Sequence, residues 1–197
     1  MSRVWLIRHA ASTAAAGSAI GVTDRPLSDV GHEQARRLAA ELASRALARI
    51  VSSDRRRALE TANIIAAPHS RVCVESSSAL REIDFGAWEG RSLSELWVEE
   101  PAAAKAWEDD IRTTPASFGE SVDDVARRVA AFWRSLQPLP DVGELAVVGH
   151  RGSLAILRAL ITGETIPDAF AAGLGLGSAV ALVASGPASE AWQRSPR

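Results

Sequence analysis

Three short apolar runs in this chain each stop at side chains suited to phosphate. Residues 4–7 run into Arg8-His9. Ile50-Val51 runs into Ser52-Ser53-Asp54 and the arginines Arg55, Arg56 and Arg57. Residues 145–148 run into Gly149-His150-Arg151-Gly152. A neutral imidazole is a good nucleophile, and guanidinium forks match phosphate oxygens with paired hydrogen bonds while staying charged. Phosphoryl transfer asks mainly for positioning and charge neutralisation, which two or three arginines supply without a metal ion. Singly, each signal has an ordinary explanation: a histidine after a strand is commonly a surface or core residue, and an arginine triplet is commonly a solvated face. Their recurrence at three strand ends points to one pocket. In open α/β sheets ligands bind beyond the carboxyl ends of the strands, and helices starting there aim N–H groups at anions.

The elements that must carry these residues follow from apolar patterning. Residues 4–7, 50–51, 72–74 and 145–148 read as short buried strands, and 179–183 as a last strand. Ser28 is placed to cap a helix that runs to about residue 46, with Ala35, Leu38, Ala39 and Leu42 at helical spacing. A second helix carries Ala58, Leu59, Ala62 and Ile65. Residues 93–107 and 122–136 read as amphipathic helices, and 154–161 as a helix closed by Gly163. Residues 10–23, 79–90 and 111–119 read as loop, and 186–197 as a final edge strand or a frayed tail. Strands alternating with helices argue an α/β fold: a three-layer α/β/α sandwich with a mainly parallel central sheet. A helical cap, inserted at about 92–119, is expected over the C-terminal ends of the strands.

Composition bounds the function class. The 197 residues are 47% hydrophobic, enough for one sizeable core, so one domain over 1–197 is expected. A net charge of −2 gives no sign of a nucleic-acid or membrane-surface binder. The single cysteine, Cys73, excludes an intrachain disulfide and a cysteine-based metal cluster. No run approaches a transmembrane span or a signal peptide, so a cytoplasmic enzyme acting on a small molecule is the expectation. Neither a metal nor another cofactor is implied, and the oligomeric state is open.

Read together, the motifs resemble the histidine phosphatase superfamily, also called phosphoglycerate mutase-like. They are Leu6-Ile7-Arg8-His9-Ala10, Pro26-Leu27-Ser28 with Gly31-His32-Glu33-Gln34-Ala35, and Ser53-Asp54-Arg55-Arg56-Arg57-Ala58-Leu59-Glu60-Thr61-Ala62. Then come Leu80-Arg81-Glu82-Ile83-Asp84-Phe85-Gly86-Ala87-Trp88-Glu89-Gly90, Gly119-Glu120-Ser121, and Val148-Gly149-His150-Arg151-Gly152. The resemblance spans roughly residues 3–183. It implies that His9 attacks phosphorus and becomes phosphohistidine. Arg8 and Arg57 bind phosphoryl oxygens, His150 steadies the transferring group, and Glu82 is general acid and then base. Ser12 and the backbone N–H of Arg151 also donate to phosphate; the Arg151 side chain is expected to face solvent. Arg8 and Arg57 are expected to keep His9 neutral. Ala10 and Arg151 stand where the family pattern has glycine. His32 and His69 read as surface residues.

For the substrate, the stretch Gly21-Val22-Thr23-Asp24-Arg25-Pro26-Leu27-Ser28 is similar to a segment of α-ribazole phosphatases, which implies α-ribazole 5′-phosphate and a place in cobalamin synthesis. The alternatives are a broad phosphatase of sugar phosphates or nucleotides, a mutase-type phosphotransferase, and a non-catalytic phosphoester-binding protein. Trp88, Trp97 and Trp107 are expected to serve packing rather than to form a wall for an aromatic leaving group.

Overall fold

The computed structural model describes residues 2–139 and 142–184. Its elements are β1 (Ser2–Arg8), α1 (Asp29–Leu42), β2 (Leu47–Ser53), α2 (Arg56–Ala66), β3 (Val74–Ser77), α3 (Leu93–Glu99), α4 (Pro101–Asp109), α5 (Val122–Ser135), β4 (Glu144–Gly149), α6 (Arg151–Thr162), α7 (Ile166–Ala171) and β5 (Ala179–Ala184), with 3-10 turns at Ser78–Leu80 and Gly86–Trp88. The five strands form one sheet in the order β3-β2-β4-β1-β5. The first four run parallel, and β5 pairs antiparallel with β1 at the edge.

Side chains on a strand alternate between faces, and both faces here are covered. Val4, Leu6, Val51, Leu145 and Val147 pack with Val125, Val129 and Trp133 of α5 and Leu154 and Leu157 of α6. Ile7, Ile50, Ala146 and Val148 pack with Leu38 and Leu42 of α1 and Ala58, Ala62 and Ile65 of α2. Burial on both faces is why the central strands are apolar throughout rather than alternating. The parallel register aligns the carboxyl ends of three neighbours, with Arg8 opposite Gly149 and Ser52 opposite Val148.

Helix starts follow local capping. The Gly31 N–H donates to Ser28 Oγ at 3.1 Å, opening α1. Ser121 and Asp124 bond reciprocally at the start of α5, at 2.9 and 3.2 Å. Several boundaries differ from the sequence expectation. Helix α1 stops at Leu42, not near 46, because residues 43–46 turn into β2. Strand β3 lies at Val74–Ser77 rather than 72–74; as an edge strand with half its residues exposed it has no continuous apolar run to mark it. The helix expected over 93–107 is two, because Pro101 cannot donate a backbone N–H and turns Glu100 out of helical conformation (φ −131°, ψ 53°). Helix α7, capped by Thr165, was not expected from the sequence. The tail at 186–197 lies outside the described residues.

Helices α3 and α4 cover a small second core of Trp88, Leu96 and Ala116, with Phe85 and Trp107 against it. This layer is tied to the loop that follows β1: the Ala19 N–H donates to Arg91 O at 2.9 Å, and the Gly90 N–H to Ala19 O at 2.8 Å. Trp88 is buried, donates Nε1–H to Glu100 Oε2 at 3.1 Å and meets Trp107 edge-on at 5.7 Å. Both serve packing, whereas Trp97 is 43% exposed. Among the described residues no helix is long and apolar enough to cross a membrane.

Candidate active site

His9 stands one residue past β1. Its N–H donates to Gly149 O at 3.0 Å, and its own carbonyl accepts from the Gly177 N–H at 3.1 Å, so β4 and the β5 approach fix its backbone. The side chain is only 8% exposed. Nδ1 lies 2.8 Å from Ala10 O. A carbonyl only accepts, so Nδ1 carries the proton and Nε2 keeps its lone pair. Burial pushes the His9 imidazolium pKa down to about 3, against the opposing bond to Ala10, with Arg57 and Arg8 adding smaller effects of the same sign as burial. The sequence expectation credited the arginines; burial is the larger cause. The Ala10 methyl is buried with Leu27 and Ala35, and the Ala10 N–H donates to Thr61 Oγ1 at 3.1 Å.

His150 caps α6 and is fully buried, its ring centroid 4.9 Å from that of His9. Nε2 lies 2.9 Å from Ser53 Oγ. Ser53 Oγ also accepts from the Arg55 N–H at 3.3 Å; its hydrogen and its second lone pair suit either tautomer of His150, and when the serine donates to Nε2 the imidazole proton sits on Nδ1. Nδ1 is buried without a protein partner. Burial first, then His9 and the arginines, holds the His150 imidazolium pKa well below its ordinary value. Ser53 was visible only as a motif position; its partnership with His150 carries no sequence signal of its own.

Arg57 is buried in the first turn of α2. Its Nη1 donates to Thr23 O at 2.9 Å and its Nη2 to Gly21 O at 3.0 Å and Ile20 O at 3.3 Å. A guanidinium has five N–H groups, so two remain. The amides of the same loop are held from the other side by Glu89. Gly21 and Val22 donate N–H to its Oε1 at 2.8 and 2.9 Å; Thr23 donates N–H and Oγ1–H to its Oε2 at 3.1 and 2.7 Å. Burial pushes the Glu89 carboxyl pKa up, but these bonds outweigh it and hold it below the usual range. Glu89 was not among the expected site residues. Arg8 donates Nη1–H to Leu174 O at 2.9 Å, and its Nε is buried without a partner.

Glu82 leaves the segment between β3 and α3. Its two oxygens accept from the Gly152 N–H at 3.1 and 3.2 Å, and Oε1 also accepts from the Ile83 N–H at 3.1 Å. Gly152 is in the first turn of α6, where the helix dipole favours a carboxylate. A Cβ at Gly152 would overlap Glu82 Oε1 and so displace the carboxyl from this seat. Glu82 is within electrostatic reach of both Arg8 and Arg57.

The remaining expected residues are less central. Ser12 is half-buried, bridges to Leu27, and accepts from the Ala14 N–H at 3.4 Å. The Arg151 side chain is exposed and stacks over Phe170, 4.3 Å from the ring centroid, while its backbone N–H lies at the start of α6. His32 and His69 are half-buried rather than fully exposed, and the His69 Nε2 is buried without a partner. Among the described residues no group of three or more histidine, cysteine or carboxylate side chains converges to hold a metal ion.

This arrangement places two neutral imidazoles, two arginines and a carboxylate around one point at the sheet's carboxyl edge. The family model of the histidine phosphatase superfamily (branch 1) matches residues 4–191. The chain belongs to the histidine phosphatase superfamily. Relatives in that superfamily carry different activities in their names. A glucosyl-3-phosphoglycerate phosphatase from Mycolicibacterium vanbaalenii is 37% identical over 174 residues, covering 84% of this chain and 76% of that one. A probable phosphoglycerate mutase from Proteus mirabilis is 32% identical, covering 83% and 76%. The solved α-ribazole phosphatase of Shigella flexneri superposes with a TM-score of 0.80 at 28% identity, covering 91% and 89%. The chain is thus a histidine phosphatase-superfamily enzyme of the phosphoric monoester hydrolase type.

The segment 21–28, which resembled α-ribazole phosphatases, has a folding explanation at several positions. A Cβ at Gly21 would overlap Ile83 O. Asp24 Oδ1 accepts from the Arg56 N–H at 2.7 Å, the Leu27 N–H donates to Glu60 Oε2 at 2.8 Å, and Ser28 caps α1. Its pattern therefore says more about the loop than about the alcohol.

Proposed function

We propose that the chain hydrolyses a small-molecule phosphate monoester in two steps through a phosphohistidine at His9. The observation that carries this reading is the His9 Nδ1 contact with Ala10 O at 2.8 Å, which aims a lone pair from Nε2 in a buried, neutral ring. In the first step Nε2 bonds to phosphorus as the ester P–O bond breaks, and Glu82 passes to the leaving oxygen the proton it took from water in the preceding turnover. In the second, water attacks phosphorus, the Glu82 carboxylate takes its proton, and the P–N bond breaks. The two remaining N–H groups of Arg57, the unpartnered Nε of Arg8 and the unpartnered Nδ1 of His150, in the tautomer that Ser53 supports by donating to Nε2, serve the phosphoryl oxygens. Ser12 and the Arg151 N–H complete that set. Such preorganised donors stabilise the charge that develops in transfer.

The leaving alcohol is set by the layer of α3 and α4, with the cap as its wall. Substrate candidates are α-ribazole 5′-phosphate, on the resemblance of the site loop, and glucosyl-3-phosphoglycerate, on the name of the Mycolicibacterium relative. A mutase-type transfer to a second alcohol is the second reading, favoured by the Proteus relative. The test is phosphate release, with EDTA present, from both candidates beside sugar phosphates, nucleotides and 3-phosphoglycerate. The expected result is release in EDTA that His9→Ala abolishes. Isomerised phosphoglycerate without release of phosphate would replace hydrolysis by the mutase reading.

A further inference from the structure

The Glu82 backbone is held by a side chain outside the residues that line the site. Arg128, on α5, donates all five of its N–H groups: Nε to Glu120 Oε1 at 2.9 Å, Nη2 to Glu120 Oε2 at 2.9 Å and Glu82 O at 3.0 Å, and Nη1 to Ala79 O at 2.7 Å and Arg81 O at 2.8 Å. Glu120 Oε2 also accepts from the Asp84 N–H at 3.1 Å. The Glu120 N–H in turn donates to Asp84 O at 2.8 Å. One planar guanidinium and one carboxylate therefore fix residues 79, 81, 82 and 84, the stretch that presents the Glu82 carboxyl to Gly152. Lysine, with three donors on one atom, cannot reproduce this fan.

We infer that Arg128, locked by Glu120, is a positioning residue for proton transfer by Glu82. This rests on the acid–base reading of Glu82. With the fan intact, the 79–84 backbone has one position and the Glu82 oxygens stay on the Gly152 N–H. With it cut, the carboxyl loses its fixed distance to the leaving oxygen, while His9 stays on the end of β1 and Arg57 on the carbonyls of residues 20, 21 and 23. Misplacement of a proton donor slows the step that needs the proton and spares the step that does not.

The test compares Arg128→Lys, Arg128→Ala, Glu120→Gln and Glu82→Gln with the parent on an alkyl phosphate and on p-nitrophenyl phosphate, whose leaving group departs without protonation. The Arg128 variants are expected to lose roughly 10- to 100-fold in kcat on the alkyl ester, within the ~10²–10⁴-fold span of general acid–base catalysis. They keep the p-nitrophenol burst of His9 phosphorylation and the affinity for vanadate. Adding Arg128→Lys to Glu82→Gln should cost less than threefold more. If Arg128→Ala does not fold, the Lys and Gln variants, which keep side-chain bulk, read the same effect. Equal losses in the rate of His9 phosphorylation by the two esters, a lost burst, or full additivity with Glu82→Gln would overturn the positioning role. A Glu82→Gln enzyme that shows no leaving-group dependence would instead remove the acid–base reading beneath it.

Discussion

His9 and Glu82 meet in one pocket but are held there by different means. His9, His150 and the Arg57 helix sit at the ends of β1, β4 and β2, three neighbouring strands in parallel register. Their positions are fixed by backbone ladders and by cores on both faces of the sheet. Glu82 lies in a segment whose regular structure is limited to short 3-10 turns, and it is held by the Gly152 N–H and by Arg128. On the proposed mechanism a strand end places the attacking imidazole, while side-chain hydrogen bonds place the proton donor. Side-chain changes should therefore separate phosphoryl binding from proton transfer.

That contrast can be broken in order of effect. His9→Ala should remove turnover altogether on every ester, measured by phosphate release. Glu82→Gln should slow phosphorylation of His9 by alkyl esters about 10²–10⁴-fold and by p-nitrophenyl phosphate far less; equal losses in that step would erase the division between the two halves. Gly152→Ala, whose Cβ would meet Glu82 Oε1, should cost roughly tenfold, about 1.4 kcal/mol of barrier, again with poor leaving groups, while vanadate inhibition stays the same. Glu89→Gln acts on the other half: it loosens the loop that braces Arg57, so vanadate inhibition should weaken several-fold and stability drop by about 1–3 kcal/mol, read by denaturant melts.

The smallest effect is on pH. His9 is neutral when buried, with its folded pKa lowered to about 3 from 6.5. A depressed histidine pKa means the unfolded chain binds the proton first, so stability is full above about 6.5 and is lost as pH falls toward about 3. Between pH 7 and pH 5 the loss from His9 should be about 2 kcal/mol, and His150 shifts in the same direction. His9→Ala should flatten part of that slope; an unchanged slope would mean the ring is not held neutral by burial.

The same contrast explains what the sequence made legible. Apolar runs buried on both faces marked β1, β2 and β4, and their polar ends marked His9, Arg57 and His150. Glu82 was found only through the pattern around it. Its supports were not legible, because Arg128 is 46 residues away along the chain and looks like any arginine on an amphipathic helix. Glu89 stood inside a quoted motif, but its bonds to residues 21–23 depend on the loop's fold. Edge strand β3 shifted because it lacks an apolar run. Helix α7 was missed because six residues with a proline in the first turn give too short a pattern. Arg151, placed with the phosphate ligands by its motif, stacks its side chain on Phe170, a residue of that unforeseen helix.

The central claim is a covalent phosphohistidine on His9. The direct measurement is rapid acid-free quenching of the enzyme during turnover of p-nitrophenyl phosphate, followed by peptide mass spectrometry. The account predicts one phosphoryl group on the His9 peptide, at Nε2, absent in His9→Ala and long-lived in Glu82→Gln. Phosphate on His150, or turnover at the normal rate with no phosphorylated histidine and with His9→Ala still active, would contradict it.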